Sequence, residues 1–257
     1  MTQSWCFKAC LLIALSTLAL PAWSHQDLLL QIEELDRALA SRPADADLLA
    51  RRGELYRRHE DFTSAALDLA AARAAQPDYP LLDLFEGMLL LDTGNPAGAE
   101  ALLSRYLNDH PQHASAWILH ARAQFALGQA ELAAQDYAKA IHYADLPSPE
   151  LYRDWSLALV AAGQKQWNAA SKAVDSGLER FPQDVSLLAL GADIALAENQ
   201  PGAAKAYVNR LPPAITRLEQ WQARLELADC LWRASENKHC ERSAIQGLQR
   251  QAGQAGS

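Results

Sequence analysis

The feature that most constrains this chain is a sequence period of 34 residues. Gly53 and Pro77 recur one period later as Gly87 and Pro111. The same step carries Ala65 to Ala99 and Ala133, and Leu69 to Leu103 and Tyr137, while two steps carry Ala72 to Ala140. Self-similarity at such a period means one supersecondary unit stacked on copies of itself. Turn formers punctuate the units: Gly94-Asn95-Pro96, Gly128-Gln129, Gly163-Gln164 and Asn199-Gln200-Pro201. Ala, Leu, Gln, Glu and Arg dominate between the turns, and these lose little rotamer freedom in a helix. Each unit is therefore expected to be two helices around a tight turn. Small residues let the helices approach, and a closing Pro ends the second one. One hairpin cannot bury its own apolar face, but a stack of them buries a continuous core. The expected class is all-α.

The pattern resembles the tetratricopeptide repeat family. Its small, aromatic and Ala positions are filled in the first unit by Gly53, Tyr56, Ala65, Leu69, Ala72 and Pro77. The third unit supplies Trp117, Ala121, Ala133, Tyr137 and Ala140. A fourth fits with two extra residues in its turn (Tyr152, Ser156, Gly163, Ala170, Val174, Gly177 and Pro182), and a fifth reads Leu188, Ala192, Ala204 and Val208. The resemblance implies a right-handed α-solenoid of stacked antiparallel helix pairs, with about five repeats over residues 44–212. Leu28, Leu29, Ile32, Leu35 and Leu39 recur at helical spacing before Pro43, so residues 25–43 are expected to form an N-terminal capping helix. Residues 213–250 are expected to close the array as a helical hairpin, and the small polar tail 251–257 to be disordered.

Residues 1–24 read as a leader. Lys8 precedes an apolar stretch from Leu11 to Leu20, Pro21 breaks it, and Ala22-Trp23-Ser24 offers small residues where a signal peptidase reads. The apolar stretch is short for a membrane span, and an uncleaved anchor is the alternative. Cleavage would leave a periplasmic or secreted chain, not membrane-spanning, beginning at His25. Loss of Lys8 leaves 22 Lys+Arg against 31 Asp+Glu, a net charge of −9. That balance gives no global attraction to nucleic acid or to anionic lipid. Two cysteines would remain, Cys230 and Cys240, on either side of the expected turn of the terminal hairpin. Export and that placement favour a disulfide over two buried thiols.

Catalytic signatures are missing from the sequence. It has no Gly-x-Ser-x-Gly, no phosphate-cradling glycine loop, no His-Glu-x-x-His and no Cys-x-x-Cys. No enzyme and no cofactor are expected. His110, His113 and His120 cluster in sequence near a repeat junction, and an amino-terminal His25 can chelate copper. A metal- or small-ligand-binding accessory role is thus the alternative, against three surface imidazoles near a turn.

The family resemblance also places a concave groove on the first helix of each unit. It implies Asp47, Ala50, Glu54, Arg57 and Arg58, then Leu81, Leu84, Met88, Leu91 and Asp92, then Ser115, Ile118, Arg122, Phe125 and Ala126. The fourth unit gives Glu150, Arg153, Leu157, Val160 and Ala161, and the fifth Ser186, Ala189, Asp193, Leu196 and Ala197. The family's Lys and Asn grip on a terminal carboxylate is not reproduced, since Glu54, Met88 and Arg122 stand where Asn would. What the groove is expected to offer is an apolar floor of Leu84, Met88, Ile118 and Phe125 flanked by Arg57, Arg58, Arg122 and Arg153. Forked guanidinium donors suit carboxylates, and Met and Phe make an adaptable apolar surface. The function expected is a protein–protein interaction scaffold, holding a protein or peptide partner of the cell envelope as a binding or assembly factor.

Overall fold

In the computed structural model, residues 22–217 and residue 222 are described. Most of the leader, the terminal hairpin with Cys230 and Cys240, and the tail 251–257 lie outside them. The described chain is all-α, without a strand, and falls into two compact units, one up to Asp109 and one from His110. The first holds α1 (Ala22–Ser41), α2 (Ala46–Arg58), α3 (Phe62–Ala75), α4 (Leu82–Asp92) and α5 (Pro96–Asp109). The second holds α6 (Ala114–Ala126), α7 (Ala130–Tyr143), α8 (Pro149–Ala161), α9 (Trp167–Arg180), α10 (Val185–Ala197), α11 (Pro201–Val208) and the single turn α12 (Pro213–Thr216). Successive helices pair as hairpins: α2 with α3, α4 with α5, α6 with α7, α8 with α9 and α10 with α11.

Several helices start where the local chemistry directs. Asp45, Asp61 and Asp184 accept the backbone N–H three residues on, at 3.2, 3.0 and 2.8 Å, which satisfies a donor that the helix leaves free. Asn95 does the same for Gly98 at 3.1 Å, and Pro96, Pro149 and Pro201 open α5, α8 and α11. Within every hairpin one turn residue takes a left-handed conformation: Glu60, Gly94, Gly128, Gly163 and Asn199, with φ of 65°, 77°, 77°, 113° and 57°. Glycine adopts this freely, whereas Glu60 carries the steric cost of a Cβ. The lengthened turn of the fourth unit contains a three-residue 3-10 segment, Gln164–Gln166, ahead of α9.

Small residues set how closely the helices of a hairpin pack. A Cβ added to Gly53 would lie 3.0 Å from Leu69 Cγ, and one added to Gly87 only 2.8 Å from Leu103 Cγ. Both leucines are essentially inaccessible, 1% and 0% exposed, so the glycines are what let the second helix close on the first. In the first unit the core of Leu39, Leu48, Leu49, Ala65, Leu69, Ala72, Leu82 and Leu89 joins α1 to the two hairpins. The core of the second runs from Ala121 and Ala133 through Tyr137, Tyr152, Val174 and Leu188 to Val208 and Leu211. Where a helix over 25–43 was expected, α1 runs from Ala22 to Ser41, starting three residues earlier and ending two residues sooner.

Candidate functional site

In the unit ending at Asp109, the first helices α2 and α4 carry four of the expected site residues. Leu84 is buried at 7% exposure and belongs to the packing, so it offers no groove surface. Arg57 is not a free cation. Its Nε and Nη2 donate to the two oxygens of Glu54 at 2.7 and 2.8 Å, and its Nη1 donates to Asp92. It ties α2 to α4, a consequence of three positions that the sequence reading had assigned separately to the groove. Arg58 is exposed and has no ion-pair partner among the described residues, and Met88 is half-buried.

In the unit from His110, α6 and α8 carry the other four. Ile118 is half-buried against the core. Arg122 is exposed, again without an ion-pair partner among the described residues. Phe125 is 43% exposed, and Leu157, which stands on α8 at the register position of Arg122 on α6, is 40% exposed. Arg153 is half-buried and donates to Asp154 at 3.1 and 2.9 Å. Burial first, and then Asp154, push the Tyr137 hydroxyl up to about 12, against the opposing pull of Arg122 and Arg153. The Tyr137 ring on α7 thus underlies a face whose cations come from α6 and α8. Large apolar side chains left this open are what partner surfaces use, and Arg122 stands one turn from Phe125 on the same helix.

The histidines are not brought together as a ligand set. His113 caps α6, its Nδ1 accepting the Ala116 N–H at 3.2 Å. His120 is buried, not a surface imidazole, with Nδ1 2.6 Å from Asp136 Oδ2. Asp136 also accepts from Lys139 at 2.8 Å, and that ammonium lies 3.9 Å from the centre of the Trp117 ring. Among the described residues no group of three or more His, Cys, Asp and Glu could hold a metal ion. The His25 side chain is outside them.

The sequence reading missed the second set of pairings that build the hairpins. Arg52 on α2 donates to Asp68 on α3, and His120 on α6 meets Asp136 on α7. Both pairs are separated by 16 residues, and each member of the second pair lies two periods after its counterpart in the first. The signal was available: Asp68 and Asp136 fall inside second helices on the strip that otherwise carries apolar side chains.

These features define an α-solenoid class in which helical hairpins of fixed register stack through small residues. Two models of the tetratricopeptide repeat match residues 22–80 and 56–123. Residues 22–123 are thus tetratricopeptide repeats. The chain's fold is similar to the crystal structure of PilW, described as a widely conserved type IV pilus biogenesis factor. That match has a TM-score of 0.65 at 22% identity and covers 79% of this chain and 93% of that one. It is also similar to YrrB, described as a TPR protein with an unusual peptide-binding site, with a TM-score of 0.61 at 14% identity, covering 77% and 96%. A tetratricopeptide repeat protein from Parabacteroides merdae matches with a TM-score of 0.58 at 17% identity, covering 88% and 92%. No curated protein matches the sequence. No described helix is long and apolar enough to cross a membrane.

Proposed function

We propose that this chain is an exported interaction scaffold of the cell envelope, which docks a polypeptide partner on the first-helix face of the unit from His110. The observation that carries the reading is the exposure of Phe125 on α6 and of Leu157 on α8, 43% and 40%, both at first-helix groove registers, together with an exposed Arg122 that has no ion-pair partner among the described residues. Apolar side chains this open are costly unless covered, and aromatic and Arg residues are what dominate binding hot spots. The segment that fits combines apolar side chains with a carboxylate for Arg122. Arg57, Arg153 and Leu84 drop out of the contact surface, because the first two are held by internal carboxylates and the third is buried. The fold-level likeness to a pilus biogenesis factor and to a peptide-binding repeat protein supports a role in envelope assembly. No catalysis, cofactor or nucleic acid enters this reading.

A photo-crosslinking amino acid tests it. Ala126→p-benzoylphenylalanine places the probe on α6 beside Phe125, and Gln135→p-benzoylphenylalanine places it on α7 as a control; both sites are exposed. The expected result is a discrete protein adduct in living cells from the first variant only. Equal adducts from both, or none from position 126, overturn the reading. Intact mass of the purified chain tests export separately, with His25 expected as first residue.

A further inference from the structure

A cleft of about 400 Å³ opens within the unit ending at Asp109, between α1, α2 and α4. Its floor is apolar: Leu35 and Phe85, both half-buried, and the buried Leu55. Its charged rim consists of Glu34, Arg51 and Glu54. Two of these three charges are already answered. Arg51 Nε donates to Asp47 Oδ1 at 2.9 Å, and both oxygens of Glu54 are taken by Arg57. Glu34 is exposed and has no ion-pair partner among the described residues, so its carboxylate is the uncompensated charge at the rim.

The surroundings have the same sign. Between residues 22 and 109 the chain carries sixteen Asp and Glu against eight Arg, with no Lys. Seven of those arginines (Arg37, Arg42, Arg51, Arg52, Arg57, Arg73 and Arg105) are in ion pairs within the unit. The eighth, Arg58, lies one turn beyond Glu54 on α2 and does not line the cleft. A concave apolar surface with focused negative potential selects its occupant by charge as well as by shape.

We infer that this cleft receives an apolar side chain of a peptide segment that carries a Lys or Arg beside that anchor. In an extended peptide the residues flanking the anchor stand within about 7 Å of it, a reach that brings an ammonium from the rim to the Glu34 carboxylate. An acidic segment would meet Glu34 with like charge, so the preference is opposite to that of the Arg122 face in the other unit. This inference is independent of the proposed docking face, and its variants lie in different helices.

Fluorescence anisotropy with three labelled peptides tests it on the full chain. One alternates Leu with Lys, and its counterparts carry Glu or Gln in place of Lys. The Lys peptide is expected to bind most tightly and the Glu peptide least, with the gap narrowing as salt rises. Glu34→Lys, at an exposed position, is expected to lower Lys-peptide affinity about fivefold and to raise that of the Glu peptide. Phe85→Leu is expected to weaken all three while keeping their order, and Arg122→Glu to leave the Lys peptide unaffected. Equal binding of the Gln and Lys peptides would mean that the cleft reads apolar shape alone, and would overturn the inference. So would no binding by any peptide, or an unchanged order in Glu34→Lys. Loss of Lys-peptide binding on Arg122→Glu but not on Glu34→Lys would place the site elsewhere and also overturn it.

Discussion

Arg52 grips Asp68 through two donors, Nε to Oδ2 and Nη2 to Oδ1, each at 2.7 Å, and so fastens the second helix of the first hairpin to the first. A third donor, Nη1, reaches Asp36 on α1 at 2.6 Å. Asp68 is only 7% exposed, so its carboxylate depends on that guanidinium for solvation. Arg52→Leu is expected to cost about 2 kcal/mol, because it leaves a buried charge without its partner. The double variant Arg52→Leu/Asp68→Leu should recover much of that loss, since no buried charge then remains unanswered and Asp36 is exposed to solvent. A double-mutant cycle from urea titrations reads the coupling, and additive single effects would show that the pair contributes nothing.

The left-handed turn position yields a second test. Glu60 and Gly94 occupy it one period apart, at φ of 65° and 77°. Glu60→Gly removes a steric conflict and is expected to raise stability by about 1 kcal/mol, less the extra entropy of the unfolded glycine. Gly94→Ala, with open space around the added Cβ, should lower stability by about the same amount through backbone conformation alone. Thermal midpoints of the two variants moving in the same direction would contradict this.

His113 makes part of the second unit's stability depend on pH. His113 is exposed at its cap position, and partial desolvation of the ring there, with the neighbouring His110 second, holds its imidazole below the ordinary value of 6.5. The folded form therefore takes up its proton less readily than the unfolded chain. Its contribution is fully present above about 6.5 and is lost as pH falls through the lowered folded value. Protonation also removes the Nδ1 lone pair that accepts from Ala116. His113→Asp preserves an acceptor at the cap without that titration. The difference in urea midpoint between variant and parent should grow in the variant's favour from about pH 7.5 to pH 5.5. A constant difference would exclude the linkage.

The helices, their turns and the fixed register of the hairpins were legible because periodicity, glycine placement and capping residues all act locally. Gly53 and Gly87 face Leu69 and Leu103 as the 34-residue pattern requires. What the pattern could not reveal is which polar side chains satisfy one another across helices. Arg57 occupies a groove register, yet Glu54 and Asp92 consume its charge, and that depends on rotamers chosen in three dimensions. His120 likewise read as one of three neighbouring imidazoles, while packing turned it inward onto Asp136. Leu84 shows the same limit for apolar residues, because it is buried although its register belongs to the groove. Phe125, at another first-helix groove register, kept the exposure that register alone implies.

The docking face of the second unit gives the last prediction. Phe125 projects from α6 at 43% exposure, so its truncation removes partner contact area without opening a cavity in the core. Phe125→Ala is expected to cost about 2 kcal/mol of partner binding, with the folded stability nearly unchanged. Arg122 lies one turn earlier on the same helix and has no ion-pair partner among the described residues, so Arg122→Glu reverses the sign of the charge a partner meets. Its effect should be largest at low salt and shrink as ionic strength rises, since a groove-edge charge acts mainly through steering. Arg57→Glu should behave differently. It breaks the link to Glu54 and Asp92, and is expected to lower thermal stability in the first unit while leaving binding at the α6 face intact. Circular dichroism separates the two outcomes, and surface plasmon resonance against the crosslinked partner measures them. If Phe125→Ala and Arg122→Glu both bind as the parent does, the α6 face is not the docking surface.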